Sequence, residues 1–206
     1  MKEIEERALI GYGRLYARAL QELAVHLYRR ISLTRRVYEG FRPLRLPSPV
    51  HSLLFVCKGN ICRSPLAAAY FESLVEKGRD QMIVRSAGLE TTPGKQAHAS
   101  CKAVARKQQL LLDGHATAQV HGELLDQSDL IIVMELTQRD RLHRVYPKTR
   151  GKVFLLGAFD SEGPLEIADP YSGTIEDFRS CFQQVSRCCD ALAVRLGLKS
   201  DESSAI

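Results

Sequence analysis

Apolar residues along the chain change their period several times, and each change predicts an element. Tyr12, Tyr16, Ala19, Leu20, Leu23, Leu27 and Ile31 recur at three- and four-residue steps. That is the single stripe of an amphipathic helix, predicted over residues 1 to about 40. Gly40, Pro43, Pro47 and Pro49 then break the pattern. Proline lacks the N–H that a helix interior needs, so EGFRPLRLPSP reads as a stop followed by an extended linker. The chain divides there into an extension, 1–48, and a second unit, 49–200.

In the second unit two kinds of run alternate. HSLLFVC is a continuous apolar run of the buried-strand type. SPLAAAYFESLVEKG predicts a helix, with Ser64 as N-cap, Pro65 at the first helical position and Gly78 at the stop. QMIVRSAG predicts a second strand and QAHASCKAVARKQQL a helix. ELLDQSDLIIVM predicts a short helix and then a third strand, Leu130 to Met134. LTQRDRLHRVYP is helical, GKVFLLG is a fourth strand, and Thr174 to about Leu196 is a last long helix. The fold class is α/β: a four-stranded parallel sheet with helices on both faces, plus the N-terminal helix.

Composition narrows the class. The 206 residues are 45% hydrophobic, ample for a core. No run of 18 apolar residues appears, which excludes a spanning helix of the usual kind. MKEIEERALI has three acids among its first six residues, unlike a secretory or organelle leader. The expected compartment is the cytoplasm, including the inner face of the membrane. Six cysteines in a chain able to build a core predict reduced thiols, with Cys101, Cys181, Cys188 and Cys189 as small packing residues. Cys57 and Cys62 are separated by four residues, but no Cys/His pair elsewhere has matching ligand spacing, so no metal is expected. The net charge of +5 sits wholly on residues 1–48, which hold ten Lys/Arg and five Asp/Glu. Four readings of that helix stay open: packing on the second unit, homodimer pairing, contact with an anionic membrane surface or partner, and a loosely ordered leader. Nucleic acid is not expected, because the basic residues belong to no recognition module.

The densest chemistry lies in FVCKGNICRSPLAAAY, where a strand gives way to a helix. Such a junction aims free backbone N–H groups and a helix dipole at one spot, an anion site. Gly59 allows close backbone approach and unusual dihedrals, and Asn60 tolerates a left-handed turn. Arg63 offers a planar fork that matches two phosphate oxygens. Cys57, at the base of this cradle, would be held as a thiolate, the form that attacks phosphorus. The Ser64 hydroxyl can bond the sulfur and help it leave.

The full string VCKGNICRSP resembles the signature of the low-molecular-weight protein tyrosine phosphatases, and further motifs follow in the family's order. They are SAG at Ser86–Gly88, GH at Gly114–His115, DLIIVM at Asp129–Met134 and DPY at Asp169–Tyr171. The resemblance covers roughly residues 51–197. It implies hydrolysis of phosphotyrosine through a cysteinyl-phosphate intermediate, with no cofactor. Cys57 would be the nucleophile, Arg63 the phosphate clamp and Asp169 the general acid. An isolated DP would mark only a turn.

The resemblance also implies that Lys58, Gly59, Asn60, Ile61 and Cys62 wrap the phosphate, or another oxyanion, supported by Ser64, Ser86 and His115. Tyr171 would line the entrance against the substrate ring. Cys62 is either a reversible disulfide partner for Cys57 or a buried filler. Lys58 replaces an apolar wall residue of many relatives, either to favour acidic substrate sequence or to face solvent. The segment SAGLETTPGKQAHA has no aromatic clamp between Glu90 and Ala99 and resembles the bacterial capsule and exopolysaccharide subgroup, whose partner substrates are tyrosine autokinases. Two other functions compete: a thiol-linked arsenate reductase, which needs a further redox cysteine pair on a mobile mid-domain segment, and a catalytically silent phosphotyrosine-binding module.

Overall fold

The computed structural model describes residues 45–77, 82–160 and 163–198. The helix expected before residue 41 and the stop expected at Gly78 lie outside them. Strands β1 (Ser52–Cys57), β2 (Ile83–Gly88), β3 (Leu130–Val133) and β4 (Val153–Leu155) form one sheet in the order β2-β1-β3-β4, with every neighbouring pair parallel. Helix α1 (Arg63–Lys77) joins β1 to β2. Helices α2 (Ala99–Lys107) and α3 (Gly122–Asp126) lie between β2 and β3, α4 (Leu136–Val145) joins β3 to β4, and α5 (Ile175–Arg195) follows. The β1-to-β2 and β3-to-β4 connections step in opposite directions. Right-handed crossovers therefore place α1 and α4 on opposite faces.

The apolar runs are continuous because both faces of the central strands are sealed. Leu53, Phe55 and Cys57 share a core with Leu130 and Ile132, with Ala67, Phe71 and Leu74 of α1, and with Val185, Cys189 and Leu192 of α5. The alternate residues Leu54, Val56, Ile131 and Val133 are just as buried. Each such side chain contributes about 1.5–3 kcal/mol by leaving water. Cys188 and Cys189 belong to this core. Burial pushes the Cys188 thiol up to about 12 and that of Cys189 well above its ordinary range, so both are packing groups, not nucleophiles. Asp129 pins the start of β3 to β1. Its carboxylate accepts the His51 and Ser52 amides and the Ser52 hydroxyl, all at 2.9 Å, and those bonds hold it below the usual carboxylate range.

Three boundaries differ from the sequence reading. Helix α1 begins at Arg63, and the Cys62 carbonyl accepts the Leu66 amide at 3.2 Å. Ser64 is thus not the N-cap but a first-turn residue whose hydroxyl is turned into the preceding loop. Helix α2 is shorter than expected. His98 caps it through Nδ1, which accepts the Ser100 amide at 3.2 Å, and Gln109, with φ of 59°, turns the chain away just beyond its end. Strand β4 stops at Leu155 and passes into a 3-10 turn, Leu156–Ala158. Helix α5 starts as its sequence suggests, with Thr174 and Asp177 forming a reciprocal capping box.

The register sets up the site. Cys57 pairs with Gly88, and Val56 with Val133, so the carboxyl ends of β1, β2 and β3 share one edge. The strand order reverses between β1 and β3. The crevice at that reversal is where open parallel sheets bind ligands.

Candidate active site

Residues 58–62 leave the end of β1, curl over that edge and enter α1. Asn60 sits at φ 54°, the left-handed region it was expected to tolerate, while Gly59 is not among the positive-φ residues. Asn60 is fully buried and organises the loop. Its amide Nδ2 donates to the Ser64 and Ser86 hydroxyls, both at 2.9 Å, and its Oδ1 accepts the Ala118 amide at 2.9 Å. Its own N–H points at the Cys57 sulfur, 3.2 Å away. The Ser64 Oγ lies 3.0 Å from the same sulfur. Because Asn60 already donates to that hydroxyl, the Ser64 hydrogen is shared between two acceptors, the Ala87 carbonyl at 3.4 Å and the sulfur at 3.0 Å, and a sulfur anion is the nearer of the two. Gly88 is required by close approach: a Cβ there would stand 2.9 Å from the Lys58 carbonyl and 3.1 Å from the Asn60 Cβ. Ahead of Pro65, the Arg63 and Ser64 amides in the first turn of α1 have no acceptor within the helix.

Arg63 is 1% exposed, and three groups hold it. It donates to the Glu135 carboxylate, to the Ile167 carbonyl at 2.9 Å and to Asp169 Oδ2 at 2.7 Å. Burial alone would lower its affinity for the proton. The bond to Glu135 and the nearby Cys57, Asp169 and Glu135 charges outweigh that and raise it, so the guanidinium stays charged beside the sulfur. Its Nε, also buried, has no hydrogen-bond partner among the described residues. The segment carrying Asp169 is anchored at two points. The Ile167 amide donates to the Met134 carbonyl at 2.9 Å, and Gly157 packs so tightly under Leu165 that a Cβ would lie 2.2 Å from its carbonyl oxygen. The carboxylate of Asp169 is therefore delivered to the mouth of the loop, where its other oxygen accepts the Tyr171 amide at 3.3 Å.

A family profile described as low molecular weight phosphotyrosine protein phosphatase matches residues 52–202. The chain belongs to that family. Among curated relatives, the low molecular weight protein-tyrosine-phosphatase Wzb of Escherichia coli K12 is 39% identical over 137 residues, 66% of this chain and 89% of the relative. A protein-arginine-phosphatase of Geobacillus stearothermophilus is 33% identical over 146 residues, 71% of this chain and 96% of the relative. The solved structure of Wzb from Escherichia coli K30 in complex with sulphate superposes with a TM-score of 0.67 at 33% identity, covering 72% of this chain and 99% of that one.

In this member of the low-molecular-weight phosphatase family, His115 meets the loop of residues 58–62 from outside. The ring's Nε2 lies 2.8 Å from the Asn60 carbonyl. A carbonyl can only accept, so Nε2 carries the hydrogen. Burial holds His115 below the ordinary histidine range, against the raising effect of that bond. The unfolded chain therefore takes up this proton at higher pH than the folded one. Its contribution to stability is complete above about pH 6.5 and is lost as the pH falls toward the folded value. Between pH 7 and about 5.5, the denaturation midpoint of the wild type should fall further than that of His115→Gln, measured in parallel. Parallel profiles would remove His115 as the source.

Cys62 is buried in a cluster with Leu66, Cys101 and Phe178. Burial, followed by the Asp169 and Cys57 charges, pushes its thiol up to about 12. It is a protonated packing group in this arrangement, and the cysteines of the described residues are free. Lys58 and Tyr171 have exposed side chains at the mouth.

Two residues of the site escaped the sequence reading. Glu135 emerges from the same sheet edge as Cys57, two residues beyond the Val56–Val133 pair. An acid directly after an apolar strand was the available signal. His98 stacks on Phe178 with ring centroids 4.8 Å apart and meets Tyr171 edge-on at 5.7 Å, while its amide donates to the Ile61 carbonyl at 2.9 Å. It ties the phosphate loop to the segment after Asp169, a link no local pattern announces.

Proposed function

We propose that this chain hydrolyses phosphotyrosine in proteins through a phosphocysteine at Cys57. The observation that carries the reading is the convergence on one sulfur of the Asn60 amide, the Ser64 hydroxyl and the charge of Arg63, beneath a carboxylate held at the mouth. The Cys57 thiolate attacks phosphorus as the bond from phosphorus to the tyrosine oxygen breaks, and Asp169 gives its proton to that oxygen. Water then attacks phosphorus and passes a proton to Asp169. The sulfur–phosphorus bond breaks, and Ser64 supports the departing thiolate. Arg63, steered by Glu135, and the first-turn amides of α1 stabilise the equatorial oxygens, with the Arg63 Nε as one donor still to be used. No step calls for a metal.

The substrate class within this chemistry is the finer part of the proposal. The resemblance of SAGLETTPGKQAHA to the capsule and exopolysaccharide subgroup supports a tyrosine autokinase as the partner. The arsenate reductase reading is disfavoured because Cys101, the one mid-domain thiol available, is fully buried on α2. The related protein-arginine-phosphatase makes phosphoarginine the informative control. The purified chain, in the presence of a chelator, should release phosphate from a phosphotyrosine peptide at least ~10-fold faster than from the matched phosphoarginine peptide, read as kcat/KM. The reverse order would assign it to the arginine branch, and release from neither peptide would end the proposal.

A further inference from the structure

One cluster of charges at the mouth has no part in the chemistry above. Lys58 follows the nucleophile directly, and its carbonyl accepts the Glu90 amide at 2.8 Å. That bond fixes the segment after β2 against the phosphate loop. The Glu90 carboxylate then gathers two cations from different parts of the chain. Its Oε2 lies 3.8 Å from the Lys58 Nζ, and its Oε1 accepts from the guanidinium of Arg141 on α4. The three side chains are 67%, 49% and 40% exposed, so the group faces solvent and does not brace the core. Two cations on one carboxylate leave a net positive charge. The other acids at the mouth, Glu135 and Asp169, are both engaged by Arg63. The rim formed by Lys58, Glu90 and Arg141 is therefore positive, while the rim beyond Asp169 carries the aromatic rings of Tyr171 and His98.

We propose that Lys58 and Arg141, held together by Glu90, form a subsite for a carboxylate side chain flanking the phosphotyrosine of the substrate. The proposal rests on the phosphatase reading and deepens it from a phosphotyrosine protein to an acidic phosphotyrosine segment. Glu90 has two opposed effects. It fixes both cations beside the loop, which lowers the cost of ordering them when substrate arrives. It also offsets half of their charge. Arg141 supplies a second positive end that reaches the rim from α4, which explains why a single lysine is not the whole device. Exposed pairs of this kind are individually weak and are screened by salt. The effect is therefore a modest selectivity that lives in KM, not in kcat.

The test compares phosphotyrosine peptides carrying glutamate, alanine or lysine on both sides of the phosphotyrosine, with p-nitrophenyl phosphate as the flank-free substrate. At low salt the wild type should prefer the glutamate peptide over the alanine peptide by about 3- to 10-fold in kcat/KM and disfavour the lysine peptide. High salt should flatten the series. Arg141→Ala should cut the preference for glutamate at least twofold and leave p-nitrophenyl phosphate turnover as in the wild type. Glu90→Gln, which removes the offsetting charge, should keep or enlarge the preference. Equal rates for the three peptides in the wild type, or a preference unmoved by Arg141→Ala, would overturn the subsite while leaving the phosphatase reading intact. Failure to release phosphate from any substrate would overturn both.

Discussion

Cys57→Ser is expected to lower kcat toward a phosphotyrosine peptide by about 10⁴- to 10⁶-fold while leaving the protein folded and able to bind the peptide. A serine hydroxyl at that position is the same size but is not ionised at neutral pH. The groups arranged to stabilise a sulfur anion, the Asn60 amide at 3.2 Å and the Ser64 hydroxyl at 3.0 Å, then have no anion to stabilise. The cradle itself does not depend on the sulfur. Its shape is held by Asn60, through Ser64, Ser86 and Ala118, and by His115. Removing a negative charge from beneath a bound dianion also lessens repulsion. Isothermal titration with the phosphotyrosine peptide should therefore show affinity equal to or tighter than the wild-type KM suggests. Turnover within tenfold of the wild type would exclude Cys57 as the nucleophile. Loss of binding along with turnover would mean that the sulfur maintains the loop.

Asp169→Asn should lower kcat by about 10²- to 10³-fold on phosphotyrosine, because the tyrosine oxygen, with a free pKa near 10, must leave as a phenol at neutral pH. The loss should shrink for aryl phosphates with more acidic leaving groups, which can depart without a proton. A series of substituted phenyl phosphates should thus show a steep dependence on leaving-group acidity in the variant and a shallow one in the wild type. The variant is otherwise conservative. Asparagine can still accept from the Tyr171 amide, and Arg63 keeps the Glu135 carboxylate and the Ile167 carbonyl as partners. Equal slopes for the two proteins would show that the proton comes from elsewhere.

Together with the selectivity series and the His115 pH profile, these two variants separate the parts of the site. They test in turn the proposed roles of Cys57 in the bond to phosphorus, of Asp169 in proton transfer, of His115 in bracing the loop, and of the rim formed by Lys58 and Arg141 in meeting the neighbouring residue of the substrate.

Much of the architecture was legible in the chain. HSLLFVC and DLIIVM predict buried parallel strands because two-sided burial leaves a run without polar alternation, and β1 and β3 stand where those runs are; QMIVRSAG also gives a strand, β2, but at the sheet edge, where Ile83 is exposed and only Ala87 and Gly88 at its end are buried. The loop of the candidate site was legible for a different reason. Cys57, Asn60, Arg63 and Ser64 lie within eight consecutive positions at a strand-to-helix junction, so local backbone geometry alone brings them together. The errors were local as well. Ser64 has the chemistry of an N-cap, but its hydroxyl is engaged by Asn60 and Cys57, and the helix starts at Arg63, two residues before the expected Pro65. The left-handed turn expected to be tolerated at Asn60 is found there, where its buried amide is repaid by bonds that glycine could not make.

The sequence by itself determined which faces are buried, where the strands turn into helices and which residues crowd around the sulfur. Each of these follows from periodicity or from neighbours a few positions apart. Only the tertiary structure decided that Glu135 and Ile167 hold Arg63, that Ala118 and His115 fix Asn60, and that Glu90 joins Lys58 to Arg141. Those partners are separated by 32 to 104 positions between the atoms that meet, or, for Glu90 and Arg141, by 51. Periodicity specifies only that a side chain is sealed or exposed. Which polar group it meets depends on how the loops at the carboxyl edge of the sheet are packed against one another, and that is settled by the fold as a whole.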